Sequence, residues 1–171
     1  MLQNKTYPEV KEQKGFSLVE ILVVIAIIGV IATIILMSLG GATAKARDAK
    51  RKTTLSQIGR VFSLSCFMPQ AGAGEYDIAT FMPELKARYP QYAAVLNSVK
   101  DPKVGTDSET FYRYIVSDDG KACAVYANLE NKDEAVTLKN ISTATPKGGT
   151  GVYQALAAGP NGTNKYFQVS N

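Results

Sequence analysis

Apolar and polar positions divide the chain into distinct regimes. Residues 1–15 (MLQNKTYPEVKEQKG) are polar, with Lys5, Lys11 and Lys14 set against Glu9 and Glu12. From Phe16 to Leu39 the chain is apolar and carries a single ionised side chain, Glu20. About 20 apolar residues cross a bilayer as a helix, so this run is long enough to span one. From Ala42 to Ser65 the pattern changes to helical amphipathicity, with apolar residues recurring at Leu55, Ile58 and Phe62, a spacing of three and four. The two patterns together predict one helix from Phe16 to about Ser65, roughly 75 Å long at about 1.5 Å per residue. Its second half presents the Leu55 stripe to a head domain. Gly29 and the Gly40-Gly41 pair are its weak points, since each glycine costs about 1 kcal/mol against alanine in a helix interior. Asp48 and Lys52 are spaced to pair along the helix surface.

Beyond Ser65 the signals are shorter. Ala71-Gly72-Ala73-Gly74 reads as a flexible link. Asp77 is placed to cap a short helix, Ile78 to Tyr89, in which Pro83 must lie near the first turn or the helix starts later. Pro90 ends it, and Tyr92 to Val99 has room for one or two more helical turns. Asp101 to Thr106 is rich in turn residues. FYRYIVS and KACAVYA flank Asp118-Asp119-Gly120, a strong hairpin pattern. Ala135 to Ile141 (AVTLKNI) reads as a third strand, Thr143 to Gly151 as loop, and Asn164 to Val169 as a last strand after the turn Pro160-Asn161-Gly162. The expected fold is α+β: a long amino-terminal helix with a small antiparallel sheet laid over its amphipathic half. The divisions are a leader over 1–15, an apolar helix over 16–39, its amphipathic continuation over 40–65 and a globular head over 66–171.

Charge sharpens this picture. The chain has 171 residues, 19 basic and 15 acidic. Residues 45–60 hold six basic residues and one acidic, whereas 71–171 hold ten basic and eleven acidic. The basic character is therefore a collar beneath a nearly neutral head. The collar lacks interleaved aromatics, which argues against a nucleic-acid interface. A solvated face, contact with anionic lipid headgroups and contact with acidic patches of neighbouring subunits are the competing uses. The lysine and arginine count around the apolar run favours a cytoplasmic carboxyl side, with Lys45, Arg47, Lys50, Arg51 and Lys52 outnumbering the three amino-terminal lysines.

There is no histidine and no tryptophan, which excludes imidazole ligands and Ser-His triads. Asp118-Asp119 is explained by its turn, and Glu130, Asp133 and Glu134 show no acid/base spacing, so the chain is not read as an enzyme and no cofactor is expected. Cys66 and Cys123 either bridge, if the head lies outside the cytoplasm, or stay as two buried thiols. Asn140-Ile-Ser142 and Asn161-Gly-Thr163 match glycosylation sequons.

Lys14-Gly15, then Phe16-Ser17-Leu18-Val19-Glu20, then the apolar run to Leu39 resembles the amino-terminal segment of type IV pilin precursors and of type II secretion pseudopilins. The resemblance implies cleavage by a prepilin peptidase after Gly15, with Lys14, Gly15 and Phe16 forming the cut site, and N-methylation of Phe16. It implies a role for Glu20 in subunit assembly, a polymer of like or related pilin subunits, an inner-membrane assembly platform and a head outside the cytoplasm, against the charge count. It also raises a calcium site in the head, with oxygen donors among Asp101, Asp107, Asp118, Asp119, Asn161 and Asn164, although no EF-hand pattern is present. Local melting after Gly29 is a further family property, but this chain has Met37 where relatives carry a proline.

A carboxylate inside a membrane segment costs at least about 2.5 kcal/mol and calls for a partner. After such cleavage the Phe16 amine would lie one helical turn from Glu20. Glu20 of an incoming subunit could then meet the amine of a docked one, so that the desolvation cost penalises wrong register. The rival reading is an ordinary signal peptide cut at Ala42-Thr43-Ala44 or Ala44-Lys45-Ala46, releasing a soluble binding module. Against it, signal h-regions are shorter, about 7–15 residues. A plain single-pass anchor is the third reading.

Overall fold

The computed structural model describes residues 15–63 and 65–171. The chain forms two compact units, one ending at Gly40 and one running Gly41–Asn171. Helix α1, Leu18–Ser63, contributes its apolar residues to the first and its amphipathic residues to the second. Its backbone is helical through residues 29–37 and through Gly40-Gly41. The expected leader, including Lys14, lies outside the described residues.

In the second unit the helical stripe is buried as its spacing requires. Leu55, Ile58 and Phe62 form one core cluster with Tyr114, Val116, Cys123, Val125 and Ala127. The last five come from alternate positions of β2 (Arg113–Val116) and β3 (Cys123–Asn128), so one face of the sheet covers the stripe. The sheet is antiparallel throughout, in the order β1-β2-β3-β5-β4, with β1 at Gly74–Asp77, β4 at Gly151–Gln154 and β5 at Lys165–Ser170. Phe62 packs on Tyr114 with ring centroids 4.5 Å apart. Gly59 lets β5 approach the helix, because a Cβ there would lie 2.4 Å from Val169 Cγ1.

The β2–β3 hairpin forms around Asp118-Asp119-Gly120, where Gly120 takes φ 66° and its N–H donates to the Ser117 carbonyl. The expected helix over Ile78–Tyr89 is divided by its proline. Asp77 caps a 3₁₀ turn, Ile78–Phe81, and α2 starts only at Met82, with Pro83 in its first turn, and ends at Arg88. A further short helix, α3, occupies Ala93–Asn97.

Two expectations are corrected. AVTLKNI is not a strand: the Thr137 and Leu138 N–H groups both donate to the Val152 carbonyl, and Val152 N–H donates to Thr137 Oγ1. A side-chain hydroxyl thus replaces a ladder bond, and the pairing stops there. Two strands, β1 and β4, went unread. Each has four residues and opens on a glycine of positive φ, 146° at Gly74 and 159° at Gly151, which reads locally as loop. Gly151 belongs to β4 and not to the preceding loop. The helix expected from Phe16 to about Ser65 is α1, Leu18–Ser63.

The outer face of the sheet is partly covered. Gln168 on β5 is fully buried beneath the 143–149 loop, accepting from Thr145 N–H at 3.1 Å and donating to the Gly149 carbonyl at 2.8 Å. β3 is consequently buried along its whole length.

Candidate functional site

The amino-terminal motif begins at the start of α1. Ser17 and Glu20 form a reciprocal pair: the Glu20 N–H donates to Ser17 Oγ at 3.2 Å, and the Ser17 N–H donates to Glu20 Oε2 at 2.8 Å. This is a capping box, in which two backbone donors that a helix end leaves orphaned are satisfied by side chains. Ser-x-x-Glu ahead of an apolar run is its sequence pattern, and Ser17 was not read that way from the sequence. Both partners lie beyond Gly15, so a cut at that glycine would leave the box intact.

Around this cap the surface is apolar. Gly15 and Phe16 are exposed, and all fifteen large apolar side chains from Phe16 to Leu36 are between 48% and 84% exposed. The most apolar stretch of α1 has mean hydropathy 3.1, and none of it is buried within the protein. Each such side chain gains about 1.5–3 kcal/mol on full burial, so the segment demands a cover that the described residues do not supply. Lipid or other apolar helices are the surroundings that can provide it.

The basic collar is only half solvated: Lys45, Lys50 and Arg60 are exposed, whereas Arg47, Arg51 and Lys52 turn to acids of the head. Arg51 is fully buried, with Nε and Nη2 donating to the two Asp101 oxygens at 2.7 and 2.9 Å, while Nη1 donates to Asp48 at 2.7 Å and lies 2.7 Å from Glu130. Arg47 makes its own bidentate pair with Glu130, at 2.7 and 2.6 Å, and Lys103 approaches the same carboxylate at 3.4 Å. Three cations therefore face three carboxylates. The Glu130 and Asn131 N–H groups donate to Asp48, and Asn161 Nδ2 donates to Asp101. The expected Asp48–Lys52 pair is corrected: Asp48 turns inward to Arg51, and Lys52 pairs with Glu134. Contact with acidic groups does occur, but with acids of the same head.

The electrostatics follow from these partners. The Arg47 guanidinium first, and Arg51 after it, hold the Glu130 carboxyl down at about 2 against the cost of its burial. Burial pushes Asp101 up, yet its bonds to Arg51, the Lys103 and Val104 N–H groups and Asn161 outweigh that and keep it below the usual carboxylate range. Burial opposes the charge of Arg51, and its three carboxylates reverse the effect. A sequence signal for this network was present: Asp48 and Arg51 continue the three-and-four spacing of Leu55, Ile58 and Phe62 toward the amino end.

Cys66 and Cys123 are joined in a disulfide that ties the segment after α1 to the first residue of β3. Of the oxygen donors considered for calcium, Asp101 and Asn161 belong to the Arg51 network, Asp107 pairs with Lys100, and Asp119 accepts from Ser117 Oγ and Lys121 N–H. Among the described residues no group of three or more His, Cys, Asp or Glu side chains is arranged to hold a metal ion. Asn161 is buried, which removes its sequon from the surface. Glu130, weighed above for acid/base chemistry, is an ion-pair partner inside the network.

A capped apolar helix with one carboxylate in its first turn, joined in sequence to a sheet-covered amphipathic half, defines a pilin-like α+β arrangement. Residues 10–36 match the family model described as the prokaryotic N-terminal methylation motif. The chain thus carries a prepilin motif of the type IV pilin and pseudopilin kind, and the match points to a structural, membrane-anchored precursor. No curated protein and no solved structure matches the chain.

Proposed function

We propose that the chain is the precursor of a filament subunit, of a type IV pilus or of a type II secretion pseudopilus. A prepilin peptidase cuts it after Gly15, between that residue and Phe16, and Phe16 is N-methylated. The subunit waits in the inner membrane with its head outside the cytoplasm, and an assembly platform polymerises it with like subunits through residues 16–39. Glu20 sets the register by pairing with the Phe16 amine of a docked neighbour.

The observation that carries this reading is the uncovered apolar surface from Phe16 to Leu36, which holds a single carboxylate in its first turn. Lipid covers such a surface before assembly, and parallel helices of other copies cover it afterwards. Two further facts support the reading over a cleaved signal peptide. Residues 42–46, the alternative cut sites, lie inside α1. Arg47 and Asp48, immediately after them, are wired to Glu130 and Arg51.

The test is the intact mass and amino-terminal sequence of the protein from its native membrane or sheared surface fraction. A chain beginning at Phe16 with one added methyl group is expected. A chain beginning at Lys45 or Arg47 would establish a signal peptide and a released module, and one beginning at Met1 a simple anchor. Either would overturn the filament reading.

A further inference from the structure

On the outer face of the sheet, away from the α1 stripe, the strands leave an open depression of about 360 Å³. Its walls are Phe111, Tyr126, Tyr166 and Pro160, with Glu75 and Arg113 among them. Strand alternation explains the grouping. Arg113 stands opposite Tyr126 in the β2–β3 register, and Tyr166 stands opposite Asn128 on the same face of β5. Tyr126 and Tyr166 have ring centroids 6.2 Å apart, and Tyr166 is stacked on Tyr153 at 5.4 Å. The Glu75 carboxylate and the Tyr126 phenol line the same wall.

Phe111 is the informative residue. It takes φ 60°, a left-handed conformation that costs a bulky residue about 1–3 kcal/mol and that glycine adopts freely. The buried Asp77 carboxylate enforces it. One oxygen accepts from Ala79 N–H at 2.9 Å, Thr110 N–H at 3.0 Å and Thr110 Oγ1 at 2.7 Å, and the other accepts from Phe111 N–H at 2.9 Å. The turn itself needs only that backbone, which glycine would supply without strain. What the strained residue adds is an aromatic ring on the wall of the depression. Strain of this kind persists where surrounding structure over-determines it, and it concentrates at ligand clamps.

The lining chemistry selects the ligand. Ring faces supply flat apolar contact. Glu75 supplies an acceptor, and Arg113, whose Nη2 donates to Glu109 at 3.1 Å, supplies its remaining guanidinium N–H donors, so the charged lining itself sums to zero. A polyanion would be repelled by Glu75, and a cation by Arg113. Asn128 offers nothing further, because its amide is committed to Thr163, Lys165 and Asn161. A neutral ring with one C–H face and a rim of hydroxyls satisfies both kinds of wall, and the volume lies at the small end of the roughly 300–1,000 Å³ range of ligand pockets. We propose that this depression is a saccharide-binding site, which takes a neutral pyranose unit stacked on Phe111 and Tyr166 and hydrogen-bonded to Glu75 and Arg113. The proposal is independent of the filament reading.

The test uses the full chain in micelles of a detergent without a sugar headgroup. Glucose, galactose, mannose, N-acetylglucosamine and their disaccharides are offered at millimolar concentration, and saturation transfer from protein to sugar protons is read by NMR. Transfer to the C–H face of at least one sugar is expected. Phe111→Gly is the decisive variant, since it removes the ring and relieves the backbone. It should weaken that binding at least tenfold while the thermal midpoint stays level or rises. Arg113→Gln provides a second variant on an exposed rim, with a similar loss expected. No transfer from any sugar of the panel, or transfer unchanged in both variants, overturns the proposal. Binding of an oligothymidylate that Arg113→Gln abolishes, with no sugar bound, overturns it too and makes the face a nucleic-acid surface.

Discussion

Arg51 and Asp101, fifty residues apart, meet as a bidentate pair with both side chains sealed from solvent. Asp48 and Glu130 share the same guanidinium. The pair ties the amphipathic half of α1 to the loop ahead of β2, from within the basic collar. Removing one partner of a buried ion pair costs about 3–5 kcal/mol, mostly because the others are left charged and unpaired. Arg51→Met should therefore destabilise the head by about that amount, read as the loss of tyrosine near-UV dichroism on urea titration in detergent. Arg51→Lys should recover only part of the loss, because an ammonium cannot make the bidentate contact to Asp101. A Met variant as stable as the parent would mean that the network contributes nothing net.

The same network predicts an acid limb. The Glu130 carboxyl sits at about 2 in the folded chain against an ordinary 4.5, and Asp101 is lowered as well. A depressed carboxylate stabilises the folded state fully above its unfolded value. That share is lost as pH falls from about 5 toward 2, because the unfolded chain takes up the proton first. At about 1.4 kcal/mol per unit, Glu130 accounts for roughly 3 kcal/mol of the decline. Urea midpoints measured from pH 7 to pH 2 should fall along that limb. Glu130→Gln should be less stable at pH 7 and show a flatter slope between 5 and 2. An equally steep slope in the variant would place the titrating groups elsewhere.

How much of this was legible in the sequence depends on the range of each interaction. The apolar run, the Leu55-Ile58-Phe62 stripe and the Asp-Gly hairpin are periodic or local signals, and all three appear in the structure. β1 and β4 are held by their neighbours rather than by their own four residues, so nothing local marked them. AVTLKNI has strand composition, yet Thr137 Oγ1 competes for the Val152 N–H and the ladder ends. A count of charge by segment hides the Arg51 network. Read by period instead, Asp48 and Arg51 fall on the buried stripe, and a buried arginine requires carboxylates from elsewhere in the chain. Ser17 was legible as Ser-x-x-Glu, but the reading of Glu20 as a membrane carboxylate obscured its role in the cap.

Two glycines of α1 should respond in opposite senses to alanine. At Gly59 the new methyl would lie 2.4 Å from Val169 Cγ1 and 3.1 Å from Val169 Cβ. Rotating the valine relieves only the first contact, so β5 must shift. Overpacking of this kind costs about 1–3 kcal/mol, which exceeds the roughly 1 kcal/mol gained in helix propensity. At Gly41 nothing lies within 4 Å, and only the propensity gain remains. Thermal melts should therefore place Gly59→Ala below the parent and Gly41→Ala level with it or above it.

Reduction of the Cys66–Cys123 disulfide should loosen the junction after α1. Its sequence separation is 57, and closing a loop of that size stabilises by about 4 kcal/mol in the chain-entropy model. Cys66→Ser/Cys123→Ser should lower the urea midpoint accordingly, with the parent in reductant matching the double variant. If reductant left the parent unchanged while the double variant unfolded early, lost packing of Cys123 in the core would be the cause instead.

The capping box separates two roles that Glu20 combines. Glutamine can take the reach-back position of a capping box as glutamate does, so Glu20→Gln retains the cap and removes only the charge. Ser17→Ala does the reverse, removing the Oγ acceptor at a cost of about 1 kcal/mol in helix stability while leaving the carboxylate. If the carboxylate sets register through the Phe16 amine of a neighbour, Glu20→Gln should abolish filaments in sheared surface fractions while the processed subunit accumulates in the membrane. Ser17→Ala should still assemble, with at most a modest reduction. Equal loss in both variants would mean that assembly depends on the formed first turn of α1 and not on the charge. Assembly by Glu20→Gln at the parent level would remove the charge from the mechanism altogether and leave the apolar contacts of residues 16–39 to set the register.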